Sequence, residues 1–301
     1  MEHSDVVYFE RCPIELPSEP DPDFLPEQSR LKNISYHPEP DSVPRFDAPE
    51  NVQRRVKTIL KDHRDVVAEY LEKNMPDLSA GWILGTTSFR AVEEGGRDLK
   101  PRSNSEIVPI DAGAYGVTNG NRILRFFVNI NPDRDRVWGE KGSFRSLFER
   151  YDALSTAARG KGNRITVEKN FADRCFSGLV KSLSKFYPLA KVFDSSPYDR
   201  AMRRIHNYMK ESLDFREDQR EYREIRYPPF SAWSMFTDGI SHPVVSGQYA
   251  LITTAIIPLA FIVAEPRQRQ QGSSSPRQGR LAIQFMLHQS VSHSVVVATS
   301  S

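Results

Sequence analysis

Trp233-Ser-Met-Phe-Thr-Asp-Gly-Ile-Ser-His242-Pro-Val-Val-Ser-Gly-Gln-Tyr-Ala-Leu251 is the stretch on which the fold of this chain turns. A lone imidazole sits between a short apolar run and a second strand-like run that ends Ala255-Ile-Ile-Pro258. Gly239 and Pro243 punctuate either side of it. That layout suits a histidine held at the mouth of a β-barrel, where neutral imidazole is a good ligand for a divalent transition metal. Its natural partner lies far upstream in Pro109-Ile-Asp111, ahead of the strand-like Arg122-Ile-Leu-Arg-Phe-Phe-Val-Asn-Ile130. That run is β-branched and aromatic, and Asn131-Pro132 ends it.

Working outward, Gly81 to Gly85 and Thr86 to Val92 read as strand material. Between the strands lie helical patches. Asn51 to Asn74 carries Val52, Val56, Ile59, Leu60, Val66, Val67 and Leu71 near a 3.6-residue repeat, the pattern of core packing. Phe144 to Arg150 and Asn170 to Phe186 are two more. Ser196-Pro197 opens another, with proline at the first helical position and Asp199 near the positive end of the dipole. Its stripe of Met202, Ile205, Tyr208, Met209 and Leu213 is expected to face the core. Alternating strands around an inserted helical region predict an α+β chain, mainly β, built as a barrel-like sandwich carrying helices.

Several separated blocks, taken in order, resemble the Kdo (3-deoxy-D-manno-oct-2-ulosonic acid) hydroxylases. They are Thr87-Ser-Phe-Arg90, Ile110-Asp111-Ala112, Asn121 to Pro132 with Arg136-Val-Trp138, Ser196-Pro-Tyr-Asp-Arg200, and Trp233 to Leu251. The resemblance covers roughly Asn33 to Pro266. It implies a double-stranded β-helix (jelly roll) core with flanking and inserted helices. It also implies an Fe(II)/2-oxoglutarate-dependent dioxygenase that hydroxylates the Kdo sugar of a lipid A precursor in lipopolysaccharide. The family places an H-x-D pair where this chain has Pro109 and Asp111. Alternate residues of a strand share a face, so H-x-D supplies two of the three ligands on one side of an iron. Proline has no side-chain donor. Asp111 and His242 then remain as catalytic and metal residues of an incomplete triad. A substitute such as Glu106, a water in the third place, or a homologue that binds without turnover all remain open.

2-Oxoglutarate needs a cation for its distal carboxylate. No basic residue stands in Leu251 to Ile257, so Arg125 is the first choice and Arg122 the second. A strand-edge arginine that snorkels to solvent is the competing reading of either one. Asn129, Trp138 and Gln248 complete the expected pocket lining. The main rival function is a non-catalytic sugar-acid binder on the same barrel, and Pro109 is the feature that favours it.

Composition narrows the partners. The 301 residues carry a formal charge of +2 and no long basic block, which argues against a dedicated nucleic-acid protein. Cys12 and Cys175 read as two unpaired thiols in a reducing compartment. Met1-Glu-His-Ser-Asp lacks a signal-peptide pattern, and the apolar run Tyr249 to Ala264 is broken by Thr253, Thr254 and Pro258. A cytoplasmic protein is expected, with at most peripheral contact with the inner membrane. Arg200, Arg203, Arg204 and Lys210 could guide an acidic substrate, or simply form a solvated helix face. Residues 1–50 are rich in proline and acid and read as an extended arm without regular elements. Residues 51–266 form the domain, and the low-complexity 267–301 reads as a disordered or aberrant tail.

Overall fold

A computed structural model of the chain describes residues 6–16, 33–39, 41–95, 110–111, 118–159, 171, 173–175, 177, 196–258 and the backbone of 295–297. The helix expected over Asn170 to Phe186 lies largely outside these residues. Pro109 and Glu106 lie outside them as well.

Among the described residues, ten strands make two sheets. In chain order they are β1 (Val6–Phe9), β2 (Ile34–Tyr36), β3 (Ile83–Arg90), β4 (Arg122–Asn129), β5 (Arg136–Glu140), β6 (Arg223–Tyr227), β7 (Ala232–Phe236), β8 (Val244–Ser246), β9 (Ala250–Ile257) and β10 (Val295–Val297). The larger sheet has the order β10-β1-β7-β4-β9-β3-β2, and the smaller has the order β6-β5-β8. All pairings are antiparallel except β1 with β10.

Strand alternation divides the large sheet into two faces. Leu124, Phe126 and Val128 of β4, with Phe89, Leu251, Ala255 and Phe236, pack against the long helix α1 (Glu50–Asn74). Opposite partners fall on the same side, so Arg125 stands beside Met235 and Thr254, and Phe127 beside Trp233 and Ile252. This second face meets the small sheet. Trp138, Tyr227 and Val244 join Phe127, Trp233, Met235 and Ile252 in one cluster between the sheets. Trp233 is stacked between Phe127 at 5.2 Å and Tyr227 at 3.8 Å. Two mainly antiparallel sheets face to face around such an interior are the barrel-like sandwich that the alternating pattern predicted and the jelly roll that the resemblance implied.

Helices α2 (Pro76–Ser79), α3 (Phe144–Arg150), α4 (Asp152–Arg159), α5 (Pro197–Glu211) and α6 (Leu213–Glu217) complete the described elements. The last four enclose a separate cluster of Ile110, Phe144, Leu147, Leu154, Met202, Ile205, Met209 and Phe215. The Ser196-Pro197 start is a full capping box, because Ser196 and Asp199 each accept the other's backbone N–H. Thr118 and Asn119 also donate to Asp199, which ties this cap to the β4 entry.

Three expectations need correction. Residues 1–50 do contain regular elements, since Val6–Phe9 and Ile34–Tyr36 pair within the large sheet. Their β-branched and aromatic side chains find ready-made partners, which outweighs the prolines nearby. Leu213 leaves the α5 stripe and is exposed, because Ser212 caps a new helix and turns Phe215 inward instead. The α1 stripe includes one polar residue that the repeat passed over. His63 occupies the core position between Leu60 and Val67.

His63 has no hydrogen-bond partner for either ring nitrogen among the described residues. Burial alone pushes its pKa down to about 4. The folded state therefore resists protonation while the unfolded chain accepts it near the ordinary value of 6.5. His63 leaves stability intact above about pH 6.5 and removes it as the pH falls toward 4. We expect a cost of about 2 kcal/mol between pH 7 and pH 5 from this residue. His63→Leu should cancel that part of the acid sensitivity in urea melts at the two pH values. An unchanged slope would show that His63 is solvated.

Candidate metal centre

The segment that carries Asp111 is placed from both sides. Ile110 is fully buried among the helices, while the alternate residue, Asp111, turns toward the barrel. Asp111 N–H donates to the Thr237 carbonyl at 2.9 Å, and Thr237 N–H donates to that of Ile123. Asp111 thus sits at the open end of β4 and β7.

His242 reaches the same end through the loop from Thr237 to Pro243, which is fastened along its length. Asp238 accepts from Arg122 Nε at 2.5 Å and from Ile123 N–H at 2.9 Å. Phe144 N–H donates to Gly239, and Ser241 N–H donates to Gly142. Gly139 N–H donates to Pro243 at 2.9 Å. A Cβ on Gly139 would stand 2.9 Å from the Pro243 ring and 2.6 Å from Tyr222, so only glycine lets β5 come this close.

These constraints bring His242 Nε2 to 3.8 Å from Asp111 Oδ2. Arg125 Nη2 lies 3.0 Å from the same oxygen. Oδ2 is buried and has no hydrogen bond of good geometry among the described residues. The Trp138 ring is 5.3 Å from the imidazole and walls it on one side. His242 Nδ1 sits 2.8 Å from the Ile240 carbonyl. When Nδ1 carries the proton for that contact, Nε2 is left with its lone pair facing Asp111.

The charge states suit a metal. Burial acts to raise the Asp111 pKa, but Arg125, His242 and the Thr237 hydroxyl outweigh it and hold the carboxyl below its usual range. Burial dominates for His242 and lowers its pKa, although Asp111 and the Ile240 carbonyl pull the other way. An ionised carboxylate and a neutral imidazole are the forms that ligate a divalent ion.

A second imidazole escaped the sequence reading. His206 of α5 contacts the Ile110 carbonyl through Nδ1 at 2.8 Å. Its pKa is lowered, first by burial, then against the Ile110 contact by Lys210, while Asp111 and His242 also act on it. Its signal was available, since position 206 borders the buried Met202, Ile205 and Met209 stripe. Among the described residues, however, no group of three His, Cys, Asp or Glu side chains is close enough to hold a metal ion.

The other expected lining residues divide. Trp138 and Arg125 are at the site. Arg122 is committed to Asp238 and lies 4.5 Å from the Phe236 ring. Asn129 is fully buried and spends its amide on the Arg134 and Tyr227 carbonyls and on Asn131 N–H. Gln248 donates to the Ala91 carbonyl. Asn129 and Gln248 therefore act as clips of the backbone. On α5, Arg200 faces Asp173 at 3.2 Å, and Arg204 donates to the carbonyls of Ala157 and Ala158 at the end of α4. Lys210 is buried, which leaves Arg203 as the exposed cation of that group.

The two facing sheets place the chain in the jelly-roll class, and the carboxylate and imidazole at their mouth make it a candidate metal-dependent member of that class. The chain belongs to the 3-deoxy-D-manno-oct-2-ulosonic acid (Kdo) hydroxylase family, whose model matches residues 1–274. The apo structure of the Kdo hydroxylase KdoO, a non-heme Fe(II) alphaketoglutarate-dependent dioxygenase, matches with a TM-score of 0.68 and 25% identity, covering 86% of this chain and 81% of that one. The cobalt(II) complex of that enzyme matches at 0.66 and 24% identity, over 86% of this chain and 82% of that one. Its complex with alphaketoglutarate and Fe(III) matches at 0.65 and 24%, over 86% and 81%. No curated protein sequence matches the chain. The residues present fit two corners of such a metal site, on the strength of the buried, unbonded Asp111 Oδ2 turned toward a neutral imidazole.

Removing Asp238 tests the loop that carries His242. Asp238→Ala would remove the carboxylate that faces the buried Arg122 and free Ile123 N–H, a class of change that costs about 3–5 kcal/mol. Denaturant melts should show that loss. A cost under about 1 kcal/mol, the level of a surface pair, would mean the loop is held by its backbone bonds alone.

Proposed function

We propose that this chain hydroxylates the Kdo sugar of a lipid A precursor with Fe(II) and 2-oxoglutarate. The observation that carries this reading is the approach of Asp111 Oδ2 and His242 Nε2 to 3.8 Å inside the barrel of a Kdo hydroxylase family member. Asp111 and His242 would hold the iron. The metal with its cosubstrate supplies the oxidising chemistry when bound. The protein's own groups do the rest. The Ile240 carbonyl fixes the His242 tautomer, and Thr237 orients the Asp111 carboxylate. The Trp138 and Phe127 rings exclude water behind the imidazole, where their centroids lie 4.7 Å apart. Arg125 is the cation best placed for the distal carboxylate of 2-oxoglutarate, because it shares the interior face with the metal pair. Among the described residues, no helix is long and apolar enough to cross a membrane. An acidic, lipid-linked substrate made at the cytoplasmic face of the inner membrane fits a cytoplasmic protein that touches that surface only at its periphery.

The second reading is a sugar-acid binder without chemistry. It draws on Pro109 and on the Arg125–Asp111 contact, which neutralises the carboxylate without a metal. Lipid A precursor incubated with the protein, Fe(II), 2-oxoglutarate and O₂ separates the two. Gain of one oxygen by the Kdo residue in mass spectra, with matching loss of 2-oxoglutarate, is the outcome expected of the enzyme. Substrate binding with neither change would establish the binder.

Position 109 gives a sharper comparison. Pro109→His should tighten Fe(II) binding by about tenfold or more, since a further ligand joins two already placed. It should also raise 2-oxoglutarate turnover, and Asp111→Ala in that background should abolish both gains. A folded Pro109→His protein that binds iron no better than the parent would refute a facial triad at this position.

A further inference from the structure

We propose that Arg125 holds the place of the metal in the metal-free protein, so that a divalent cation binds only as the guanidinium releases Asp111. The inference rests on Asp111 and His242 being the metal ligands. Arg125 Nη2 lies 3.0 Å from Oδ2, the same oxygen that faces His242 Nε2. Both side chains of the ion pair are largely shielded from water, with 11% and 14% of their surface exposed, so solvent weakens the interaction little. Guanidinium stays charged at any working pH. One carboxylate oxygen thus meets a fixed positive charge at the position a cation must approach.

The geometry of the pair supports exchange over permanence. Arg122 and Asp238 form a tight contact at 2.5 Å, reinforced by Ile123 N–H on the other oxygen. Arg125 Nη2 makes a longer contact at 3.0 Å, and its Nε is buried with no hydrogen-bond partner among the described residues. A planar fork matched to a carboxylate normally engages two nitrogens. Arg125 therefore keeps donor capacity that Asp111 does not use. The separation of the ligands points the same way. Adjacent ligands of one octahedral cation sit about 3 Å apart, against 3.8 Å between Asp111 Oδ2 and His242 Nε2. A cation held by both therefore requires the two side chains to draw closer together than they stand beside Arg125. The released guanidinium then offers unused donors on the interior face, where a dicarboxylate cosubstrate can take them. Metal entry and cosubstrate anchoring become linked through one side chain.

Cobalt(II) titration without any cosubstrate tests this, on the full chain with Arg125, Arg125→Lys and Arg125→Met, each with Pro109 and with Pro109→His. Methionine removes the competing charge and keeps the stem, whereas lysine keeps the charge. Arg125→Met should bind cobalt about tenfold tighter than the parent, the scale of a coupled neighbour pair. Arg125→Lys should stay near the parent. Arg125→Met should also melt lower without metal, because Asp111 loses its partner, and cobalt should raise its melting temperature more than the parent's. Should Arg125→Met not fold, Arg125→Gln carries the same comparison. Equal or weaker cobalt binding by the folded neutral variant overturns the inference and leaves the metal site standing. No cobalt binding by any protein, Pro109→His included, overturns the metal reading itself.

Discussion

Strand β4 has two occupied faces, and the alternation of its side chains is the constraint on which the molecule depends. Leu124, Phe126 and Val128 bury against α1, while Arg125 and Phe127 point between the sheets. A slip of one residue would drive the Arg125 guanidinium into the aliphatic layer under α1 and bring Phe126 to the mouth of the barrel. Neither is tolerable, since an unpaired buried charge costs far more than any single packing contact returns. Neighbours on both sides read the register from this strand. Eight residues of β4 pair with β9 and five with β7. The Thr237–Pro243 loop is then hung from its first two residues through Asp238.

Charge is buried repeatedly around this frame, and the solutions differ in kind. Arg122 with Asp238 and Arg136 with Glu94 are ion pairs, each nearly without exposure. Lys141 donates to the Phe215 and Arg216 carbonyls, where it meets the negative end of α6. Those contacts lock elements together. Asp111 is different, because its neighbours are a partly engaged arginine and an imidazole held neutral by burial. A buried carboxylate oxygen without a hydrogen bond, beside a neutral imidazole, is a combination suited to something that binds.

Much of this was legible in the residues. The α1 stripe, the α5 start and the β4 strand follow from period, capping chemistry and punctuation, whereas the pairing of Asp111 with His242 came from the family resemblance. What stayed hidden was decided by tertiary partners. Val6 to Phe9 is a β-branched and aromatic run that declares a strand, yet the surrounding prolines and acids obscured it until β7 was available to pair. Asn129 and Gln248 have the chemistry of ligand anchors, and only the irregular backbone beside them shows that their amides are already committed. His63 and His206 illustrate the opposite failure. An imidazole on an apolar stripe looks like an interruption of the repeat until the packing shows it filling a core position or flanking a site.

The place of β1 in the large sheet has a consequence for how the chain acquires its structure. Val7, Tyr8 and Phe9 align with Ser234, Trp233 and Ala232, so the first strand must wait for residues more than two hundred positions later. On the ribosome, β1 emerges early and has no partner until β7 has been synthesised, at about 5–20 residues per second. During that interval a short apolar strand is exposed, and closing so long a loop makes its docking a slow, late step. The acidic, proline-rich stretch that follows it then has a use in the nascent chain. Its charge and fixed backbone angles oppose strand-to-strand association between incomplete chains until the barrel can close.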